Sequence, residues 1–279
     1  MYPSLNRTLV SGKKVEWRDF AALAHYFGFP GVDVDLGPAM KEGAEQTKDF
    51  LASKALKPAV LGCPVNFRED DAKFKETLKA LPDAAQFAAA IGCLRMTTWV
   101  SPSFDAPKDE MWKLLRSRFG AIAEVLADHN VRFGLEYIGP LHIRQSKPNL
   151  FVYKIQDMFT LAHEVGPNVG VLLDSWHWHH AGDSLADIEK AGKDAIVHVQ
   201  VADAQNLPPA EIRDNERLFP GEGVINLKGF FATLQKIGYD GGVSPEIFGH
   251  GIKDMPLEDG VRLGYNSTAE TMQKAGIRW

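Results

Sequence analysis

VGVLLDSWHWHHAGDSLADIEKAGKDAIVHVQV, residues Val169 to Val201, holds two short apolar runs with an amphipathic run between them. Val169–Asp174 and Ile196–Val201 are short, rich in Val, Leu and Ile, and end on or beside a polar side chain, so each reads as a buried strand. Leu185–Ala191 has helical spacing and is closed by Gly192. Strand, helix and strand in that order form a crossover unit, which makes the two strands parallel.

The same unit recurs along the chain. Strands are expected at Ser4–Leu9, Gly31–Leu36, Lys57–Gly62, Cys93–Trp99, Arg132–Tyr137, Val169–Asp174, Ile196–Val201 and Gly242–Ile247. Helices are expected at Trp17–Phe27, Gly43–Lys54, Ala72–Ile91, Met111–His129, Lys154–Val165, Leu185–Ala191, Leu227–Ile237 and Leu257–Ala275. Several of them end within a few residues of a glycine, such as Gly28, Gly92 and Gly166. Eight strands each followed by a helix predict an α/β fold of the closed (β/α)8 TIM barrel type. An open doubly wound sheet would call for a phosphate loop, and no Gly-x-Gly-x-x-Gly or Walker-type sequence occurs.

No Gly/Ser- or Pro-rich linker divides the 279 residues, so one domain over 1–279 is expected. With 45% hydrophobic residues and a mean hydropathy of -0.19, the chain has the material for a large core. A net charge of -5 without long charge blocks argues against nucleic acid and anionic membranes as partners. Cys63 and Cys93 lack metal-knuckle or disulfide-framework spacing, and no leader or membrane-spanning run is evident, so a cytoplasmic protein is expected.

Four polar side chains stand at the ends of four expected strands: Glu136, Asp174, Gln200 and Glu246. Parallel strands of a barrel all end on one rim, so the four converge. Strand alternation puts Gly134, Leu172, His198 and Ser244 on their face. Three carboxylates and an amide oxygen are costly to gather away from water unless a cation neutralises them, which points to a divalent metal. Pro245 removes an N–H from the last strand and predicts a bulge or a missing ladder bond there.

Gly170-Val-Leu-Leu-Asp-Ser-Trp-His-Trp-His-His-Ala-Gly182, His198-Val-Gln-Val-Ala-Asp203, Arg217-Leu-Phe-Pro-Gly-Glu-Gly-Val-Ile-Asn226 and Ser244-Pro-Glu-Ile-Phe248 resemble, in order and spacing, the xylose isomerase-like barrels of the sugar isomerase and epimerase group. The resemblance covers essentially the whole chain, and among that group it is nearest to inosose (2-keto-myo-inositol) isomerases. It implies metal binding by Glu136, Asp174 and Glu246. Most relatives carry a second histidine where this chain has Gln200; the hydroxypyruvate isomerase-like branch is similar in having His-x-Gln. An oxygen donor there favours manganese or magnesium over zinc, with cobalt also open. His198 is the substitute ligand, and Asp203 is expected to orient a ligand.

The implied reaction is proton transfer next to the carbonyl of a polyhydroxy ketone, through an enediolate that the metal stabilises. Glu136 and Glu246 form the acid/base pair: return of the proton to the neighbouring carbon gives isomerisation, and delivery to the opposite face gives epimerisation. The resemblance makes His177 and Arg217 substrate-binding, although Arg217 could instead pair with Glu216 or Glu222. Trp99, Trp176 and Trp178 could wall the site. Asn6, Asp33 or Asp35, Asn66 and Trp99 are the candidates for setting the substrate, an unphosphorylated sugar or cyclitol ketone. Competing readings are a hydroxypyruvate isomerase-like enzyme, a metal-dependent lyase acting on 3-keto-glycosides, and a partner subunit. An abasic-site endonuclease on the same barrel would need histidines that the ends of the third and fourth strands lack. Homo-oligomerisation is common in the group, but no patch in the sequence specifies it.

Overall fold

A computed structural model describes residues 1–279. Eight parallel strands close into a barrel: β1 (Tyr2–Leu5), β2 (Gly31–Val34), β3 (Lys57–Gly62), β4 (Arg95–Trp99), β5 (Arg132–Glu136), β6 (Val169–Asp174), β7 (Ile196–Val201) and β8 (Gly242–Pro245). They lie in sequence order, and β8 closes the ring on β1 through Gly242 beside Tyr2 and Val243 beside Pro3. Helices cover the outside, and their apolar faces meet the strands. Phe119, on the helix Lys108–Ala127, packs edge-on against Phe133 of β5 with ring centroids 5.8 Å apart, both fully buried. Each such ring contributes about 2–3 kcal/mol by leaving water.

The expected elements are present, with shifted ends that have local causes. The first strand stops at Leu5 because Asn6 caps a 3-10 turn, Arg7–Val10, by accepting from the Thr8 N–H. The expected helix Ala72–Ile91 is two helices, Asp71–Leu78 and Leu81–Ile91. Pro82 lacks an N–H and is tolerated only in a first turn, so a new helix begins there. Gly28 and Gly92 end their helices in the left-handed conformation (φ 89° and 77°).

Pro245 makes no bulge. Val243, Ser244 and Pro245 pair in unbroken register with Val199, Gln200 and Val201. The next N–H, of Glu246, still reaches Val201 O (3.0 Å). By alternation the missing donor of Pro245 faces β1, where pairing has already ended at Val243. A register shift between β6 and β7 leaves Val197 as an extra residue. Gly134 makes room for it, since a Cβ there would lie 3.0 Å from Val197 Cβ.

Several elements at the carboxyl rim follow no expected period. They are the short helices Leu36–Glu42, Leu141–Arg144 and Ser175–Ala181, and a two-stranded ribbon of Ser103–Phe104 with Asn149–Leu150. Both cysteines are free, and no helix is long and apolar enough to cross a membrane.

Candidate active site

Glu136 ends β5, Asp174 ends β6, Gln200 is the penultimate residue of β7 and Glu246 follows β8, so all four sit at the carboxyl rim. Hydrogen bonds and close approaches tie them into one cluster. Gln200 Nε2 donates to Glu246 Oε1 (2.9 Å). Arg217 Nη1 donates to Asp174 Oδ2 (2.8 Å) and to Glu246 Oε2 (3.0 Å). His177 Nε2 lies 3.6 Å from Glu136 Oε1 and 3.7 Å from Asp174 Oδ2.

Asp174 works on two sides. Its Oδ1 caps the helix Ser175–Ala181 by accepting from the Trp176 N–H (2.9 Å), which leaves Oδ2 for the cluster. The same helix brings His177 over the site. The Gly139 N–H donates to His177 Nδ1 (3.3 Å), which favours a proton on Nε2, the nitrogen that faces the carboxylates, against the pull of Arg217 Nη2 3.4 Å from Nε2. This contact needs glycine: a Cβ at residue 139 would fall 2.2 Å from His177 O.

Arg217 comes from the long loop between β7 and β8 and is 1% exposed. Its Nη2 donates to Asp214 Oδ1 (3.0 Å), and its guanidinium lies over Phe248 and Trp176. The expected alternatives Glu216 and Glu222 are not its partners; Asp174, Glu246 and Asp214 are. Burial alone would lower the Arg217 pKa, but Asp174 and Glu246 outweigh it and keep the group charged. Asp203 anchors this loop by accepting from the N–H groups of Gly221 (3.0 Å) and Ile225 (2.9 Å). It therefore holds the loop in place and orients no metal-ligand side chain, contrary to the expectation.

The electrostatics are those of crowded buried acids. Glu136 is pushed well above the usual carboxylate range by burial and then by Glu246 and Asp174. Glu246 is raised to about 7 by burial, an effect offset by Arg217 and reinforced by Asp174. His177 is lowered well below its usual value by burial and by Arg217, so it is neutral.

The donor set fits a divalent cation. Glu136 Oε1 and Gln200 Oε1 are buried acceptors with no hydrogen-bond partner. Glu136 and Asp174 each offer a carboxylate oxygen within 4.8 Å of the other's, beside a ring nitrogen of His177. Glu136, Asp174 and Glu246 face the single buried positive charge of Arg217, so ionising all three together would leave a net negative charge that a divalent ion would balance. His198 is not among these donors: its Nε2 lies 3.0 Å from Ser244 Oγ, a layer deeper in the barrel.

Above the cluster is a cavity of about 290 Å³ lined by Trp99, Glu136, Ile138, Ile143, His177, Asp214, Arg217, Glu246 and Phe248. Trp99 is half exposed and is backed by the Arg68 guanidinium, 3.9 Å from the ring centroid. Trp176 and Trp178 are not part of this wall. Trp176 is buried against His180, and Trp178 is buried against Phe230 with its Nε1 donating to Ser184 O (3.2 Å). Asn66 is turned away to Glu69 (2.7 Å) and Asp35 to Arg7 (2.6 Å). Ile138, Ile143, Asp214 and Phe248 were not anticipated; Ile143 lies on the short helix Leu141–Arg144 and the other three in loops beyond the strand ends.

Residues 20–279 match the family described as xylose isomerase-like TIM barrel. An inosose isomerase of Halalkalibacterium halodurans is 25% identical over 233 residues, 82% of this chain and 80% of that protein. A xylose isomerase domain protein from Alicyclobacillus acidocaldarius superposes with a TM-score of 0.90 at 30% identity, covering 99% of both chains. The IOLI protein, whose crystal structure holds a zinc atom, superposes with a TM-score of 0.82 at 18% identity over 99% of both chains.

Proposed function

The chain belongs to the xylose isomerase-like TIM barrel family, and on that premise we propose that it is a divalent-metal-dependent isomerase or epimerase of a polyhydroxy ketone, an inosose being the leading substrate. The observation that carries this reading is the pair Glu136 and Glu246, two carboxylates from different strand ends that line one cavity with His177 and Arg217. A cavity of about 290 Å³ suits a single sugar or cyclitol ring. Residues 1–279 then form one catalytic domain, in which Glu136, Asp174, Gln200 and Glu246 would hold the ion, manganese.

When bound, the ion would draw electron density from the ketone and acidify the adjacent C–H. The protein supplies the rest. Glu246 lines the cavity where the substrate would sit and is the carboxylate placed to take and return the proton. Glu136 then delivers its own proton on the other face, or Glu246 returns its proton at the neighbouring carbon while the hydroxyl proton passes between the two adjacent oxygens. The proton on His177 Nε2 is available to a substrate oxygen, and the Arg217 guanidinium offers positive charge where negative charge develops. Trp99, Ile138, Ile143 and Phe248 limit water around the reacting carbon.

The test is solvent-deuterium incorporation followed by NMR, with metal-stripped protein and manganese added back, against inososes, ketohexoses and hydroxypyruvate. Metal-dependent exchange beside a carbonyl, abolished in Glu246→Gln, is the expected result. No exchange with any of them, together with release of the aglycone from a 3-keto-glycoside, would replace this reading with that of a lyase.

A further inference from the structure

We propose that Asp33, on β2, is the positioning residue for Glu246, holding the chain on both sides of that glutamate through two hydrogen-bonded arms. The inference rests on the reading of Glu246 as an acid/base group.

The first arm is direct: Ser244, two residues before Glu246, donates its hydroxyl to Asp33 Oδ1 (2.8 Å). The second arm is relayed. Asn6 Nδ2 donates to Asp33 Oδ2 (2.9 Å). That bond fixes the amide so that Asn6 Oδ1 accepts from both the N–H (2.9 Å) and the hydroxyl (2.8 Å) of Thr8. With its proton committed to Asn6, Thr8 Oγ1 presents a lone pair, which takes the N–H of Ile247 (3.1 Å). Every bond in both arms is polarised by one carboxylate, which also accepts from Ser4 (2.8 Å). Ser244 Oγ, already donating to Asp33, is left to accept from His198 Nε2 (3.0 Å), so the arrangement extends across β2, β1, β8 and β7.

The fold needs such a device at this place. Pairing of β8 with β1 ends at Val243, and Pro245 has no N–H to offer on that side. The stretch that carries Glu246 is therefore laddered only to β7, through its own N–H to Val201 O. Arg217 also grips this stretch, through its N–H to Phe248 O (3.2 Å) and Nη1 to Glu246 Oε2 (3.0 Å), but the stretch's side-chain ties on the β1 side are the two arms, and a displacement of about 1 Å can cost a hundredfold in rate. Burial pushes Asp33 up to about 6 although Ser244, Ser4 and Asn6 all donate to it, so its ionised form is kept here against a desolvation cost.

The arms can be cut without touching Asp33. In Thr8→Val the Ile247 N–H loses its acceptor, and in Ser244→Ala the direct bond is lost; Thr8→Ser keeps the relay. Crystal structures of the full chain and deuterium-exchange kinetics are the readouts. Expected for Thr8→Val and Ser244→Ala are a Glu246 carboxylate moved off Gln200 Nε2 and a kcat lowered about tenfold or more with KM changed less than about twofold. Thr8→Ser should restore both, and Asp33→Ala should exceed either single cut. A Glu246 carboxylate still on Gln200 in both Thr8→Val and Ser244→Ala, or a kcat that Thr8→Ser fails to restore, would overturn the proposal. If the wild-type protein exchanges no ketone, the functional reading fails, and the position of Glu246 in Thr8→Val still decides the relay. Should Asp33→Ala not fold, the two single-arm variants carry the test.

Discussion

Arg217 places Nη1 2.8 Å from Asp174 Oδ2, with both side chains essentially closed to solvent. A buried ion pair of this kind contributes little net stability, yet removing one partner strands the other. Arg217→Met should therefore lower the stability of the metal-stripped protein by about 3–5 kcal/mol. The stranded acids then form a better cation site, so added manganese should raise the melting temperature of the variant more than that of the wild type. Differential scanning calorimetry with and without the metal checks this. Equal shifts in both proteins would mean that the ion does not sit among Asp174, Glu136 and Glu246.

Gln200 offers Oε1 as a free buried acceptor and uses Nε2 to hold Glu246. Histidine could keep both roles with its two nitrogens while exchanging a hard oxygen donor for a softer one. Gln200→His should thus shift the zinc-to-manganese affinity ratio toward zinc by about tenfold or more. Competition calorimetry measures the ratio, and an unchanged value would remove residue 200 from the ion's surroundings.

The barrel and the rim carboxylates were legible because they sit at the ends of clean apolar runs, where strand periodicity and the parallel arrangement place them. Asp174 and Gln200 needed nothing else. Arg217 was nameable only through its resemblance to a family motif, because its partners lie far away in sequence and its loop has no period; the neighbouring acids Glu216 and Glu222 were misleading for that reason. Trp176 and Trp178 illustrate the opposite error. Large aromatics next to a rim ligand look exposed to substrate, but an unanticipated helix, Ser175–Ala181, turns both into the interior while it brings His177 over the site. Ile143 is placed by the short helix Leu141–Arg144, which has no apolar period, and Phe248 by loop geometry.

Gly139 lies against that helix so closely that a Cβ would fall 2.2 Å from His177 O and 2.8 Å from Ala181 N. Both contacts are backbone and cannot swing aside. Gly139→Ala should cost about 1–3 kcal/mol, and it should also release His177 Nδ1 from its donor, allowing the imidazole to change tautomer. Urea denaturation measures the first effect and nitrogen-15 chemical shifts of His177 the second. Wild-type stability with an unchanged tautomer would show that the turn has other room to move.

Asp33 should leave a signature in the pH dependence of stability. Its pKa is about 6 in the folded chain against 3.8 as the ordinary value. Between those values the folded protein binds the extra proton, so the stability linked to this group is fully present below the unfolded pKa and is lost as pH rises through about 6. Asp33→Asn cannot titrate there. The difference in unfolding free energy, wild type minus Asp33→Asn, should therefore increase by on the order of 2 kcal/mol between pH 7.5 and pH 4. Making the comparison in a Glu246→Gln background removes the buried acid that Asp33 itself shifts, and taking the difference cancels Glu136 and Asp174, which titrate in both proteins. Chemical denaturation in the presence of a chelator at several pH values provides the measurement. A flat difference would mean that Asp33 is solvated well enough to keep its ordinary pKa, and a falling one that its three donors outweigh burial.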